Sequence, residues 1–250
     1  MRIAIVTGGS RGLGKSMSLR LAEKGHDVIL TYHSKKAEAE EVVAQIIKMG
    51  RKAVALKLDV ADRKSFNVFA GNVKDALRIS WQRNDFDFLI NNAGIGIQAA
   101  FMGTTEEQFD QLMNIHFKGP FFLTQKLLPL MKDGGRIVNI SSGLARFSLS
   151  GYSAYAAMKG AIEVLTRYLA KELGPRRIAV NVVAPGAIET DFGGGAVRDN
   201  KQINEMIASG TALGRVGLPD DIGGAVAALL SDDSGWINGQ RVEVAGGIFL

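Results

Sequence analysis

The amino-acid sequence predicts an α/β fold in which seven parallel strands form one sheet with helices on both faces. Three observations lead to this prediction. Strand-like and helix-like segments alternate along all 250 residues, the strand-like segments are continuously apolar, and no linker-like segment interrupts them. A sheet covered on both faces has no polar side, so such runs favour a parallel sheet over an antiparallel one. Residues 1–250 are therefore expected to form a single domain.

The elements follow in a regular order. Strands are expected at residues 2–7, 27–32, 53–58, 86–90, 136–140, 178–183 and 241–244. Helices are expected at residues 15–24, 35–49, 62 to about 74, 106 to about 131, and 151–171. Residues 104–107 have capping-box character, and Pro120 predicts a break or kink in the fourth helix. The first three strands and two helices form the βαβαβ half of a doubly wound, Rossmann-type fold.

Composition excludes several classes of protein. The chain has no cysteine, which excludes disulfides and thiolate metal sites, and its three histidines fit no metal-ligand spacing, so no metal is expected. A net charge of +5 keeps nucleic acid in consideration, but the basic residues are scattered without interleaved aromatics. No apolar run approaches the roughly 18 residues of a membrane span. We expect a soluble, cytoplasmic protein that binds neither nucleic acid nor membrane.

A glycine-rich turn separates the first strand from the first helix. Glycines permit a tight turn with close backbone approach, and the helix that follows offers free N–H groups and the positive end of its dipole to a pyrophosphate. A glycine-rich turn alone is also typical of ordinary chain reversals. The turn predicts a dinucleotide site that contains Gly8, Ser10, Arg11, Gly12, Leu13 and Gly14.

The end of the second strand indicates which dinucleotide binds. An NAD site of this fold places an acid about 20 residues beyond the glycine turn to bind a ribose hydroxyl, whereas NADP needs a cation there. No Asp or Glu occurs between residues 28 and 37, where His33, Ser34 and Lys35 stand, and Arg11 adds a second positive charge. We predict NADP(H). His33 or Ser34 would serve NAD(H) equally well, and both cations are also typical of a plain surface.

Polar and glycine motifs follow four further strands. Asp59-Val60 ends the third strand, where the carboxylate can accept from an adenine amino group or can cap a turn. Asn92-Ala93-Gly94, Ser142 and Pro185-Gly186 follow the fourth, fifth and sixth strands. Ligands of open parallel sheets bind beyond the carboxyl ends of the strands, so these motifs are expected to share one crevice.

Tyr155 and Lys159 stand four residues apart on a predicted helix, so their side chains lie on one face, a turn apart. A neighbouring ammonium favours the phenolate, and we expect it to lower the tyrosine pKa from its usual value of about 10. The pair then becomes a usable proton donor and acceptor. By itself such a pair more often marks a half-buried ring beside a solvated amine.

Taken together, the motifs resemble the short-chain dehydrogenase/reductase family, and the resemblance extends over essentially the whole chain. The motifs are Thr7-Gly8-x-x-x-Gly12-x-Gly14, Asn91-Asn92-Ala93-Gly94, Asn114, Ser142, Tyr155-x-x-x-Lys159 and Pro185-Gly186. Residues 181–191 are similar to bacterial 3-oxoacyl-[acyl-carrier-protein] reductases.

The resemblance implies a catalytic tetrad for hydride transfer between a nicotinamide and a carbonyl or secondary alcohol. Tyr155 would exchange a proton with the substrate oxygen, and Ser142 would hold that oxygen by a hydrogen bond. Lys159 would lower the pKa of Tyr155 and bind the nicotinamide ribose, and Asn114 would support a water relay to Lys159.

The resemblance also implies features around the site. Ile188 and Thr190 would join the cofactor site, and residues of about 190–212, with three consecutive glycines, would form a mobile lid over a small-molecule substrate. A homotetramer is implied, although the sequence equally allows a dimer. An apolar pocket is indicated by Ile95, Ile97, Leu144, Phe147 and Phe192.

The sequence leaves three functions open. The first is an NADPH-dependent carbonyl reductase or alcohol dehydrogenase. The second is a 3-oxoacyl-[acyl-carrier-protein] reductase, which needs a basic surface for its acidic carrier, with candidates Lys126, Lys132, Arg176 and Arg177. The third is a dinucleotide-binding scaffold without a reaction, which would not require the whole tetrad.

Overall fold

The computed structural model describes residues 1–250, and its strands all belong to one sheet. The strands are β1 (Ile3–Val6), β2 (Asp27–Tyr32), β3 (Ala53–Lys57), β4 (Phe86–Asn91), β5 (Met131–Ile140), β6 (Ala179–Pro185) and β7 (Arg241–Val244). Their order across the sheet is β3-β2-β1-β4-β5-β6-β7, and every neighbouring pair is parallel. The predicted seven-stranded, doubly wound fold is confirmed.

Nine α-helices connect or flank the strands. They are α1 (Gly12–Glu23), α2 (Lys36–Lys48), α3 (Phe66–Ala76), α4 (Glu106–Met113), α5 (Gly119–Leu127), α6 (Ser153–Glu172), α7 (Ala196–Asp199), α8 (Lys201–Ser209) and α9 (Pro219–Leu229). Helices α7 and α8 lie within residues of about 190–212, the segment for which the sequence predicted a mobile lid.

Two apolar layers hold the helices to the sheet. Successive strand residues point to opposite faces, so Ala4 and Val6 of β1 pack with α1, α2 and α9, while Ile3 and Ile5 pack with α3, α5 and α6. All four residues are fully buried. This double coverage explains why the strands read as continuous apolar runs.

The predicted fourth helix is wrong at its C-terminal end. Helix α5 ends at Leu127, a 3₁₀ turn follows over Leu128–Leu130, and Met131 already pairs with Phe86 of β4. Pro129 has no N–H to continue the helix and disfavours helical geometry in the residue before it. Strand β5 therefore begins at residue 131 rather than at residue 136.

The predicted break near Pro120 is confirmed, and it takes the form of a π-helical turn. Residues Asn114–Lys118 form this turn between α4 and α5, and Pro120 lies in the first turn of α5, where a missing N–H is tolerated. The predicted capping box is also present, formed by Thr105 and Gln108 at the start of α4.

Candidate active site

The turn after β1 and the turn after β4 close tightly on each other. Gly8 has a φ of +65°, and a Cβ on Gly14 would lie 2.1 Å from the Gly8 carbonyl oxygen. Asn92 Nδ2 donates to the Thr7 carbonyl at 2.8 Å. The backbone N–H groups of Asn92 and Ala93 donate to Thr7 Oγ1 at 2.9 and 3.0 Å. Only glycine fits at residue 14, and the close approach of the backbone in this turn suits a pyrophosphate.

The N-terminus of α1 has backbone donors to offer. Arg11 is the N-cap residue but makes no side-chain cap hydrogen bond, and the first turn contains no acid. Gly12 has a φ of +53° and faces the Thr190 methyl, 3.6 Å from where its Cβ would be. Ser10 is buried, and Leu13 packs against the core. The first N–H groups of the helix are therefore available to an anion.

The residues predicted to recognise the adenosine ribose follow β2. His33, Ser34 and Lys35 are exposed. His33 Nε2 lies 3.6 Å from Asp59 Oδ2, so the end of β2 meets the end of β3, and Lys35 Nζ lies 3.5 Å from Glu38 Oε1. Ion pairs between exposed side chains are weak, so His33 and Lys35 are free to turn toward a ligand.

Asp59 has the turn role that the sequence left open. Its Oδ1 accepts from the Ala61 N–H at 2.9 Å, which leaves the other oxygen toward His33. The Val60 carbonyl faces the start of α5, because a Cβ on Gly119 would lie 2.6 Å from it. Both residues sit half-buried at the carboxyl end of β3.

At the end of β6, Pro185 is buried in the sheet, and a Cβ on Gly186 would lie 2.9 Å from the Cα of Ala245. Ile188 then forms an isolated parallel bridge with Gly217. These contacts with Ala245 and Gly217 hold the chain in place where it leaves β6 toward Thr190 and the glycine turn.

Ser142, Tyr155 and Lys159 meet beside the carboxyl end of β5. Tyr155 and Lys159 are 6% and 5% exposed, and Lys159 Nζ lies 5.5 Å from the Tyr155 ring centroid. Lys159 Nζ donates to the Ile140 carbonyl at 2.8 Å. The Ser142 side chain lies near that of Tyr155, and its oxygen accepts from the Leu144 N–H at 3.2 Å. The predicted proton donor, its partner amine and the candidate oxygen holder thus share one pocket wall.

The charges of this pair differ from the sequence-based expectation. Burial raises the pKa of Tyr155 above its usual value, and the nearby Ser142 side chain only partly opposes this rise. Burial also lowers the pKa of Lys159 to about 7. The expected net decrease of the tyrosine pKa is therefore wrong for this structure, because desolvation outweighs the field of an amine that is itself only partly charged at neutral pH.

Asn114 and His116 lie in the π-helical turn that faces this pair. Asn114 is half-buried and opens the turn. His116, two residues further on, is 2% exposed, and its ring stands edge-on to the Tyr155 ring with centroids 5.1 Å apart. Sequence reasoning passed over His116, since a single histidine inside a helical pattern gives no signal. That the π-helical turn brings His116, two residues after Asn114, against Tyr155 follows only from the fold.

A segment from Thr190 to Asp199 crosses the site. Phe192 lies 5.6 Å from Tyr155 between ring centroids, and a Cβ on Gly96 would lie 2.8 Å from the Phe192 ring. Asp191 pairs with Arg11 at 3.3 Å. One short segment therefore contacts both the glycine turn and Tyr155.

The remaining wall of the Tyr155 pocket is apolar. Its lining residues include Ile97, Ala99, Leu112 and Ala154. Of the residues predicted for the pocket, Ile95, Ile97 and Leu144 pack against the Tyr155 cluster, and Phe192 contacts its ring. Phe147 instead packs on Phe249, with ring centroids 5.0 Å apart.

The basic residues considered for carrier docking lie elsewhere. Lys126 is in the last turn of α5, Lys132 is near the start of β5, and Arg176 and Arg177 precede β6. They therefore lie at the amino ends of the strands, opposite the edge that holds Tyr155. Arg176 is also engaged with Asp133 at 2.7 Å.

No helix combines the length and apolar character that crossing a membrane requires. No cluster of three or more His, Asp or Glu side chains has an arrangement that could hold a metal ion.

Comparison with known proteins gives matches over nearly the whole chain. Residues 8–248 match the family model described as Enoyl-(Acyl carrier protein) reductase. The hydroxynaphthalene reductase-like protein Arp2 of Metarhizium brunneum is 35% identical over 257 aligned positions, which cover 98% of this chain and 94% of Arp2.

Two solved structures have the same fold at similar identity. The promiscuous reductase LugOII, which catalyses keto-reduction at C1 during lugdunomycin biosynthesis, is 37% identical with a TM-score of 0.93, covering 98% of this chain and 96% of LugOII. The angucycline C-6 ketoreductase LanV, solved with bound NADP, is 35% identical with a TM-score of 0.94, covering 99% of this chain and 95% of LanV.

Proposed function

The chain belongs to the short-chain dehydrogenase/reductase family, and we propose that it is an NADPH-dependent reductase of small-molecule ketones. The observation that carries the proposal is the pairing of a buried Tyr155 with Lys159 at the same sheet edge as the glycine turn. A proton donor and a dinucleotide cradle at one edge are the two parts that a hydride transfer to a carbonyl requires of its protein.

The residues at this edge fit NADP(H). Bound NADPH would supply the hydride that reduces the carbonyl carbon. The backbone around Gly14 and the first N–H groups of α1 would hold the pyrophosphate. Arg11 and Lys35 would hold the 2′-phosphate, since no acid lies between residues 28 and 37 to take a 2′-hydroxyl. The NADP-bound structure of LanV supports this choice.

The proton in the proposed reaction comes from Tyr155. Because burial raises the pKa of Tyr155, the phenol is protonated at neutral pH, which is the state that reduction requires. The Lys159 ammonium would stabilise the phenolate that remains after donation, and the Ser142 hydroxyl would hold the substrate oxygen as it takes up negative charge. In the proposed tetrad, Asn114 would support the proton supply to Lys159 from the π-helical turn.

We further propose that the substrate is an aromatic or polycyclic ketone. The pocket beside Tyr155 is bordered by Ile97, Leu112 and the Phe192 ring, which favour a flat apolar substrate with one polar oxygen. The relatives point the same way, because Arp2 is named for hydroxynaphthalene reduction and LanV for the reduction of an angucycline.

An acyl-carrier-protein substrate is the second candidate, favoured by the description of the matching family model. The basic residues that would dock such a carrier lie at the amino ends of β5 and β6, away from Tyr155, so they give it no support. The two candidates are distinguished by the rates of NADPH oxidation with a bicyclic aryl ketone and with a 3-oxoacyl thioester at equal concentration.

We also propose that residues of about 190–212 act as a lid over the site. Phe192 reaches Tyr155, and Gly193, Gly194 and Gly195 all have positive φ, which suits a segment that changes its backbone conformation.

We propose that the protein is a homotetramer in which each subunit forms its own site. Helices α5 and α6 expose large apolar side chains that a second copy would cover. Light scattering of the purified chain measures the oligomeric state.

The Tyr155→Phe variant tests the proposed function. Phe keeps the ring and removes the proton donor, so we expect NADPH binding to stay near the wild-type value and kcat to fall by at least about 100-fold. Stopped-flow NADPH oxidation and NADPH fluorescence measure the two quantities. Near-normal turnover in this variant would show that another group donates the proton.

A further inference from the structure

His116 is a buried titratable side chain for which the proposed reaction has so far no use. It is 2% exposed and stands edge-on to the ring of Tyr155. Its pKa is well below the usual value, first because it is buried and then because the charge of Lys159 acts on it. The imidazole is therefore neutral at physiological pH, and it lies within reach of the field of the catalytic amine.

The hydrogen bonds of His116 identify its tautomer. The Ile95 carbonyl oxygen lies 2.8 Å from Nε2, and the Ile95 N–H points to the same nitrogen at 3.3 Å. One ring nitrogen cannot donate to the carbonyl and accept from the N–H at once, and the shorter contact is with the carbonyl, which can only accept. We therefore assign the proton to Nε2. Nδ1 of the neutral ring then carries a lone pair and can only accept.

That acceptor has no partner within the protein. Nδ1 is completely buried and makes no hydrogen bond. A buried acceptor without a donor destabilises the folded protein, so its retention calls for a reason. The Nδ1 edge faces the turn after β4, because a Cβ on Gly94 would lie 2.7 Å from Cε1 and 3.3 Å from Nδ1. The lone pair thus faces the turn that contains Gly94, on a ring that packs edge-on against Tyr155.

We propose that His116 is a positioning residue whose Nδ1 accepts a hydrogen bond from an O–H group that in turn solvates the Lys159 ammonium. The O–H group belongs to a water molecule or to a ribose hydroxyl of the bound nucleotide. In either case His116 fixes the oxygen on which the charge of Lys159 depends. This inference rests on the proposed reductase function and adds to it a residue that the sequence did not indicate.

Two substitutions of His116 separate hydrogen bonding from packing. His116→Phe keeps a ring against Tyr155 but has no acceptor, whereas His116→Asn keeps a donor for Ile95 and an acceptor in a smaller side chain. We expect His116→Phe to lower kcat at least about tenfold. The limb of its pH profile that reports Lys159 should move to lower pH, because a less solvated ammonium is a stronger acid. His116→Asn should remain within about threefold of the wild type.

Binding of NADPH then distinguishes the two sources of the O–H group. An unchanged Kd for NADPH in His116→Phe indicates water, and a Kd raised about tenfold or more indicates the ribose hydroxyl. Wild-type kcat, Kd and pH profile in folded His116→Phe would overturn the proposal. Equal losses in both variants would also overturn it, because they would assign His116 to packing alone.

A measurement without substrate keeps the test independent of the activity of the variants and of the proposed function. The chain has only three histidines, so ¹⁵N-histidine spectra contain three rings, and the His116 signals are those missing from His116→Asn. We expect a neutral Nε2–H tautomer at pH 7. The Nδ1 shift should report an accepted hydrogen bond in the free protein if the O–H group is water, and only after addition of NADPH if it is the ribose hydroxyl. A proton on Nδ1 would refute the inference even if ketone reduction is observed, whereas a wild-type protein without NADPH-dependent reduction would refute the function alone.

Discussion

Replacing Lys159 by Met should make the ligand-free protein more stable, and by an amount that depends on pH. Burial lowers the pKa of Lys159 from 10.5 to about 7. Each pKa unit corresponds to about 1.4 kcal/mol, so the folded state disfavours the charged form by roughly 5 kcal/mol at acidic pH. Between the two pKa values the unfolded chain holds a proton that the folded protein has released, so wild-type stability rises with pH.

The difference between the two proteins follows from these values. The penalty is about 4–5 kcal/mol near pH 6.5 and falls to about 1–2 kcal/mol near pH 9.5, so the advantage of Lys159→Met should shrink by roughly 3 kcal/mol over this interval. The variant also leaves the Ile140 carbonyl without its 2.8 Å donor, which costs on the order of 1–3 kcal/mol at every pH. The change with pH is therefore the sharper measure.

Urea unfolding at a series of pH values, followed by circular dichroism, measures this difference. Lys171→Met is the matched control, because Lys171 lies on the same helix but is exposed, and its unfolding free energy should follow the wild-type pH curve. Parallel curves for wild type and Lys159→Met between about pH 6.5 and pH 9.5 would refute the reasoning, since they would show that burial does not shift the titration of Lys159.

Two predictions concern the cofactor end of the site. Gly14→Ala would place its Cβ 2.1 Å from a backbone oxygen, so we expect a loss of about 1–3 kcal/mol in stability and at least about tenfold weaker NADPH binding, whereas Gly71→Ala, with nothing within 4 Å, should stabilise by up to about 1 kcal/mol. Denaturation and fluorescence titration measure the stability and the NADPH affinity of both variants. Equal effects of the two substitutions would contradict the role of Gly14 in cofactor binding. Arg11→Ala combined with Lys35→Ala should raise KM for NADPH at least about tenfold and leave KM for NADH nearly unchanged, because only the former has a 2′-phosphate. Steady-state kinetics with both cofactors decide this, and parallel increases would remove the assignment of these cations.

The sequence was sufficient for the parts of the fold that depend on local pattern. Continuous apolar runs such as Ile3–Val6 located the strands, because both faces of a parallel sheet are buried. The start of β5 was missed since the polar and glycine residues 132–136 separate Met131 from the main apolar run, and only its pairing with Phe86 makes it part of the strand. Long-range pairing of this kind leaves no local periodicity to read.

The site divides in the same way. The spacing of Tyr155 and Lys159 was readable because four residues along a helix bring two side chains to one face. Their titration was not, since its sign depends on how completely the other layers cover them. His116 was unreadable for a further reason: the π turn rotates the helix face, so its position beside Tyr155 does not follow from a regular 3.6-residue period.

Burial of this pair links the stability of the protein to its proposed chemistry. A phenol removed from water remains protonated and ready to donate, but the phenolate it leaves is disfavoured for the same reason. A charge 5.5 Å from the ring stabilises that phenolate more strongly in a poorly solvated pocket than in water, so the burial that weakens Lys159 as a base also strengthens its effect on Tyr155. A substitution that removes the cost of burying Lys159 therefore removes the stabilisation of the product phenolate as well. The more stable Lys159→Met protein should for this reason be the less active one.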